Sequence, residues 1–392
     1  MERLLTRSRV LLAFCCVLLL AALNRRDPMV YGMFLFLATI TVLGFVLPWL
    51  SLRGMVVRLQ SDRLVGEVTE GAACDLGVVV ERNVRWPAFM VDVETEWEWA
   101  GLRLVQRQVI AVVRAGKPVA LGQQVRFACR GHYRLVAVRL ASSFPLGLVQ
   151  ARHAMQHNTS VALHVLPLPQ TVHWPLPWSV SPDSSGTLAT RHTGPSFELG
   201  MLREYQQGEA VGRVSWRASA RAGALVIQHF QQMGAVVLRV VVLTPSVPAL
   251  GNPASAGEQA VRLAAGVLDA ADAHGAQAFL YLAGDSEPVQ GAALVRTALA
   301  AAPPSSPALL SSTCARVAAD AKPAEQIALV VPADMEQVDL AAALAQLKGN
   351  TCPVVVCIAL GRAGGPPQRS AAQGLQAVAE RAGVASFMEE SA

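Results

Sequence analysis

The stretch that most constrains this chain is Pro28 to Leu52, twenty-five consecutive residues without a charge. At about 1.5 Å per residue a helix of that length crosses a hydrocarbon core. A second uncharged run, Val10 to Leu23, lies just upstream and is only fourteen residues long. Arg3, Arg7 and Arg9 precede it, which is also how a secretory signal begins, but no small-x-small cleavage site follows before the second run starts. The pattern therefore predicts a helical hairpin with its external turn at Asn24-Arg25-Arg26-Asp27-Pro28. Three Arg precede the first span, two lie in the turn, and Arg53, Arg58 and Arg63 follow the second. Positive flanks stay inside, so this distribution predicts an inner-membrane, multi-pass protein whose bulk faces the cytoplasm.

The charge balance excludes one class of partner. Residues 1–63 hold eight Arg against Glu2, Asp27 and Asp62, a net of +5 that equals the formal charge of the whole chain. The other 329 residues are neutral, so the pI near 9.0 reflects the membrane flanks and not a nucleic-acid-binding face. The seven cysteines show no C-x-x-C spacing, and a cytoplasmic location predicts free thiols. His153 and His157 stand four apart in a segment that reads as strand and loop, where that spacing does not make a metal pair.

Beyond the membrane runs, the periodicity changes twice. From about Met55 to Pro169 it is close to two, with strand patterns at Val78-Val79-Val80, Phe89 to Trp97, Leu104 to Val113, Val119 to Phe127 and Tyr133 to Leu140, which predicts an antiparallel β-sandwich. Trp86, Trp97 and Trp99 fit as core or strand-surface aromatics. Pro167 to Gly194 is rich in Pro, Ser, Thr and Trp and reads as an extended connector. After Gly234, continuous apolar strands (Ala235 to Leu243, Gln277 to Ala283, Ile327 to Val331, Pro353 to Leu360) alternate with helical patterns (Glu258 to Ala273, Ala292 to Ala302, Val338 to Leu347, Gln373 to Ala382). That alternation predicts an α/β domain with a parallel sheet covered on both faces. The expected organisation is two transmembrane helices in 1–54, the sandwich in 55–166, the connector in 167–196, a charged segment in 197–234 and the α/β domain in 235–392.

The segment 197–234 is dense in charge and aromatic rings: Arg203, Glu204, Tyr205, Gly208, Glu209, Arg213, Trp216, Arg217, Ser219 and Arg221 fall within nineteen residues. Two readings account for it. Guanidinium–carboxylate pairs around a Gly208 turn could brace a loop, or Arg, Tyr and Trp could form a recognition surface. Arg213 to Arg221 has room for about two helical turns before Gly223, with a return strand from Ala224 to Phe230.

The run R-E-Y-x-x-G-E-x-x-x-R-x-x-W-x-x-S-A-R resembles the signature of the bacterial domain-of-unknown-function 58 family, usually R-E-Y-x-x-G-D-x-x-R-x-I-D-W-x-x-S-A-R. The chain departs from it at Glu209, Gly212, Val214 and Ser215. Arg130-Gly131-His132-Tyr133 and Ser143-Phe144-Pro145-Leu146-Gly147-Leu148 are similar to a second pair of motifs in that family, with Phe144 where Asp is usual. The resemblance implies a von Willebrand factor A-like C-terminal domain. Such domains, when they hold a divalent cation, use D-x-S-x-S after the first strand, and here Thr244-Pro245-Ser246-Val247-Pro248 stands there, which predicts no tight metal site. It further implies a MoxR-type AAA+ ATPase and other von Willebrand factor A-type proteins as partners, and an adaptor or chaperone-like role in complex assembly or maturation. No Walker loop, G-x-S-x-G or H-E-x-x-H occurs, and no cofactor is expected. The alternative is a membrane-surface hydrolase or transferase using Glu204, Tyr205 and Glu209 as acid–base groups and Arg213 as an anion clamp.

Overall fold

The computed structural model describes residues 2–25, 28–60, 67–147, 149–155, 161–178, 180, 188–193, 199–206, 212, 214–362 and 365–389. The chain divides into two compact units, Met1–Phe127 with Gly131–Val165, and Ala128–Arg130 with Leu166–Ala392.

The first unit begins with α1 (Glu2–Arg25) and α2 (Pro28–Leu52), which pack on each other. Among the described residues α2 is the one helix long and apolar enough to cross a membrane, and Arg9–Asn24 is a shorter apolar stretch. The buried residues of α2 are Thr41, Gly44, Pro48, Ser51 and Leu52, in its C-terminal half, and α2 contacts β4, β7 and β8 as well as α1. Residues 26–27 of the expected turn lie outside the described residues.

Nine strands follow: β1 (Met55–Gln60), β2 (Val68–Thr69), β3 (Ala73–Arg82), β4 (Ala88–Trp99), β5 (Leu102–Val113), β6 (Val119–Arg126), β7 (Gly131–Ser142), β8 (Ala151–Met155) and β9 (Ala162–Leu166). They form one antiparallel sheet in the order β1-β3-β6 and another in the order β2-β9-β7-β4-β5, with β8 also on β7. Trp97 is fully buried in edge contact with Phe127, and Trp99 packs on Tyr133, whereas Trp86 is exposed. The outward side of β4 is charged: Glu94 meets Arg107 across the strands, and Glu96 lies between Arg103 and Arg139. Opposite charges across a ladder stabilise the pairing.

In the second unit, β10 (Leu188–Thr193), β11 (Leu199–Glu204) and β12 (Val226–Gly234) form a small antiparallel sheet, and α3 (Trp216–Ala222) leads into β12. The remainder is β13 (Val237–Val242), α4 (Ala256–Ala273), β14 (Gln277–Leu282), β15 (Val289–Gln290), α5 (Ala292–Ala301), α6 (Pro307–Asp320), β16 (Gln326–Pro332), α7 (Gln337–Leu347), β17 (Val354–Ala359), α8 (Pro366–Arg381) and β18 (Ala385–Glu389). The sheet order is β15-β14-β13-β16-β17-β18, parallel except for β15. One face packs α6, α7 and α8 through Leu310, Leu340, Leu344 and Leu375. The other packs α4 and α5 through Val261, Leu263, Val267 and Leu299. Because the central strands are buried on both sides, their sequences are almost wholly apolar, with Arg239 in β13 and Gln326 at the start of β16 as the buried polar exceptions.

The composition of 167–196 predicts an extended connector in preference to a packed element, but its described part 171–178 packs on the core because its alternate residues are apolar, and Leu188–Thr193 within it form β10. Along 171–178 exposure alternates, so that Val172, Trp174, Leu176 and Trp178 turn inward onto the α4/α5 face while Pro175 and Pro177 point out. From Leu166 onward the chain belongs to the second unit.

Candidate functional site

The signature residues fall on β11, on α3 and on the segment between them. Arg203 and Glu204 end β11, in register with Ile227 and Val226 of β12, and the Tyr205 N–H donates to the Leu225 carbonyl at 2.8 Å. Gly208, Glu209 and Arg213 lie outside the described residues. Ser215 N-caps α3 by accepting from the Ala218 N–H, and its own N–H donates to the Val226 carbonyl at 2.8 Å. Serine is among the best N-cap residues, so it sets the helix start. Ser219 faces inward and its Oγ accepts from the Val226 N–H at 2.8 Å, tying helix to strand. Gly223 closes α3 in the left-handed region at φ 71°, where a side chain would be strained.

These three residues explain how the motif folds. The aromatic and cationic members have a different placement. Trp216 is 66% exposed, and Arg217 and Arg221, one helical turn apart, are exposed on the same short helix. Leu202 and Leu225 are exposed nearby in sequence, while Arg203 and Tyr205 are half-buried and Glu204 is exposed. The Trp216 indole thus contributes to no described core.

A second candidate is the crevice at the carboxyl ends of β13 and β16, where the strand order reverses and α/β sheets usually bind ligands. It measures about 110 Å³ and is lined by Thr244, Pro245, Ser246, Ser305, Pro307, Pro332 and Asp334, among others. The Thr244 hydroxyl donates to the Pro303 carbonyl at 2.6 Å, and Ser305 Oγ accepts from the Thr244 N–H at 3.2 Å. Pro248 offers no side-chain oxygen. With Thr244 engaged in closing the loop, Ser246 and Asp334 alone do not supply the oxygen set that a hard divalent cation takes, so these residues do not fit one. Among the described residues no three His, Cys, Asp or Glu side chains converge as metal ligands; His157 is not among them.

The motif around Arg130 has a structural role that its sequence did not disclose. Arg130 is fully buried, and its Nε–H donates to Glu258 Oε2 at 2.9 Å while Nη1 reaches the carbonyls of Leu299, Ala300 and Ala302 at the end of α5. Glu258, in the first turn of α4, accepts the Gly251 N–H at 3.0 Å with its other oxygen. A cation at a helix C-terminus and an anion at a helix N-terminus are both favoured by the helix dipoles. Gly131 follows because a Cβ there would come within 2.5 Å of the Trp99 ring. A second buried pair joins Arg239 to Glu325 at 2.7 Å, with Tyr281 also bonded to Arg239. Burial raises the Tyr281 hydroxyl pKa despite the neighbouring guanidinium. Burial also pushes the Cys314 thiol up to about 12, and raises Cys352 and Cys357, so none of the three is a ready thiolate.

A parallel sheet packed on both faces, with a small antiparallel sheet and a capped helix ahead of its first strand, defines the second unit as an α/β domain. Residues 201–360 match the family model described as "Protein of unknown function DUF58", a match that supports assigning this part of the chain to that family. No curated protein matches the sequence. Among solved structures, Bacteroides uniformis beta-glucuronidase 2 covalently bound to cyclophellitol-6-carboxylate aziridine is similar at 10% identity and a TM-score of 0.17, covering 86% of this chain and 33% of that one. Cwp6 from Clostridium difficile is similar at 9% identity and a TM-score of 0.18, covering 81% and 47%. The chain spans about a third to a half of those structures, and similarity at this level carries no functional argument.

Proposed function

We propose that the chain is a membrane-anchored adaptor without bond-making chemistry of its own, working with a MoxR-type AAA+ ATPase in the assembly or maturation of protein complexes. In this reading α1 and α2 form a transmembrane hairpin, the soluble units face the cytoplasm, and the C-terminal domain is von Willebrand factor A-like with a degenerate metal position. The observation that carries it is the exposed Trp216 beside Arg217 and Arg221, in a motif whose other described members are engaged in folding. Tryptophan and arginine are the residues in which contact energy concentrates at interfaces. The Thr244–Pro248 loop favours a contact that does not run through a cation, since its one threonine hydroxyl is already bonded within the protein.

The test is capture of the ATPase from the native host in mild detergent, comparing the full chain with Trp216→Ala/Arg217→Ala. Both side chains are exposed, so the melting temperature should stay within about 1–2 °C while capture falls by roughly ten-fold or more. Loss of capture together with a large drop in melting temperature would make the motif a brace. Undiminished capture would move the interface elsewhere.

A further inference from the structure

Within the first unit, three strand connections gather at the end of α2. The guanidinium of Arg82, the last residue of β3, reaches the Ser51 and Leu50 carbonyls and so caps the C-terminus of α2. The Asn83 N–H donates to the Gly54 carbonyl at 2.9 Å, which seats the β3–β4 connection (83–87) beside the helix end. The Gly116 N–H donates to the Arg82 carbonyl, which brings in the β5–β6 connection (114–118). Ser142 Oγ donates to the Phe89 carbonyl and the Phe89 and Phe144 rings lie 5.2 Å apart, which adds the start of the β7–β8 connection (143–147).

The composition of this end is one-sided. Arg53, Arg85, Arg114 and Lys117 are all exposed there, and neither Arg53–Gly54 nor the three connections contain an acid. Between the cations stand apolar side chains held in water: Trp86 is 73% exposed and Leu146 46%. Folding does not require this; β4 buries Trp97 and Trp99 on its core face, whereas Trp86 contributes to no core. Trp49 and Arg53, with the guanidinium 5.6 Å from the ring centre, mark the level at which α2 leaves its apolar run. Trp and Arg at the end of a span sit at the headgroup level, and adjoining cations are drawn to anionic lipid within a Debye length.

We infer that this end of the first unit is a bilayer-contacting face, in which Arg53, Arg85, Arg114 and Lys117 hold anionic lipid headgroups and Trp86 and Leu146 insert among them. The inference rests on α2 being a membrane span. A bilayer is the occupant that fits, because the cationic and apolar groups ring the point where a twenty-five-residue apolar helix ends, and that point is where headgroups must be if the helix crosses.

The experiment is hydrogen exchange of the full chain in nanodiscs of phosphatidylcholine alone and of phosphatidylcholine doped with phosphatidylglycerol. Amides of 83–90, 114–118 and 143–147 should exchange about ten-fold or more slowly in the anionic discs. Arg85→Glu/Arg114→Glu/Lys117→Glu should abolish that difference while exchange in β13, β16 and β17 stays unchanged. A chain that enters the discs with these loops exchanging equally fast in both lipids, or with a difference that survives the charge reversal, overturns the inference and leaves the span intact. A chain that remains in the aqueous fraction without lipid overturns the span and the lipid face together.

Discussion

A single buried arginine sets the most exposed claim at the residue scale. Arg130 and Glu258 are 0% and 1% accessible, so each charge depends on the other and on the peptide groups around it. Removing one partner leaves an uncompensated buried charge, which typically costs about 3–5 kcal/mol, whereas replacing both by apolar groups of similar volume is often nearly neutral. Glu258→Met and Arg130→Met should therefore each lower the unfolding temperature of the second unit sharply, and the double variant should recover a large part of the loss. Followed by exchange of the α4 and α5 amides, a double-variant loss equal to the sum of the two single losses would show that the side chains act independently. The sequence offered the Arg130-Gly131-His132-Tyr133 motif without its meaning, because the carboxylate that gives Arg130 its role lies 128 positions away. Ser219 is a similar case. Its place in the motif was plain, but only the fold reveals that it serves the Val226 backbone, and only the fold separates it from the exposed Trp216.

At the scale of elements, the two faces of the parallel sheet are covered unequally. Three helices lie on one face and two on the other, and the strap 171–178 supplies the missing cover. Its period of two is that of a strand, and Pro at the outward positions costs nothing because those positions need no ladder donor. Trp174 and Trp178 stack at 5.7 Å and Trp178 stacks on His274 at 5.0 Å, while Trp174 Nε1 donates to Gln326 Oε1 at 2.7 Å and Gln326 Nε2 donates to the Pro177 carbonyl at 2.6 Å. Gly266 lets α4 approach, since a Cβ there would stand 1.8 Å from the Gln170 carbonyl oxygen. Trp174→Ala should cost about 3–5 kcal/mol and open the strap to limited proteolysis, whereas Pro175→Ala, on the outward side, should change stability by less than about 1 kcal/mol. Equal protease resistance in both variants would mean that the strap is held from elsewhere. The main strands were legible because burial on both faces leaves a nearly apolar run, broken in β13 only by Arg239, whose charge is paired with Glu325. Helix α6 was not, because its buried positions Leu310, Thr313, Cys314 and Val317 follow helical spacing with polar or small residues at two of the four. Short β18, with half-exposed Ser386 and Phe387, gives no periodicity to count.

For the molecule as a whole, the distribution of arginine bears on the orientation proposed for the soluble units. If α1 and α2 both span, Arg3, Arg7 and Arg9 and then Arg53, Arg58 and Arg63 occupy one side, against Arg25 and Arg26 on the other. In that proposed arrangement the six-to-two bias would put the sandwich and the α/β domain inside. A cleaved leader at α1 would leave the same chain with one span, and its amino terminus would then begin near the turn. The two arrangements separate by two measurements on the protein extracted from membranes. The hairpin predicts an intact mass that still includes the first helix, and a carboxyl terminus that a protease added to spheroplasts does not reach but that inverted vesicles expose. Reversing the inner flank with Arg53→Glu/Arg58→Glu/Arg63→Glu should then shift part of the population to the opposite orientation, because positive charge next to a span resists translocation. Arg82, which holds the helix end from the folded unit, should keep that flank in place once the sandwich has formed, so the shift should appear in newly made chains and not in chains already assembled.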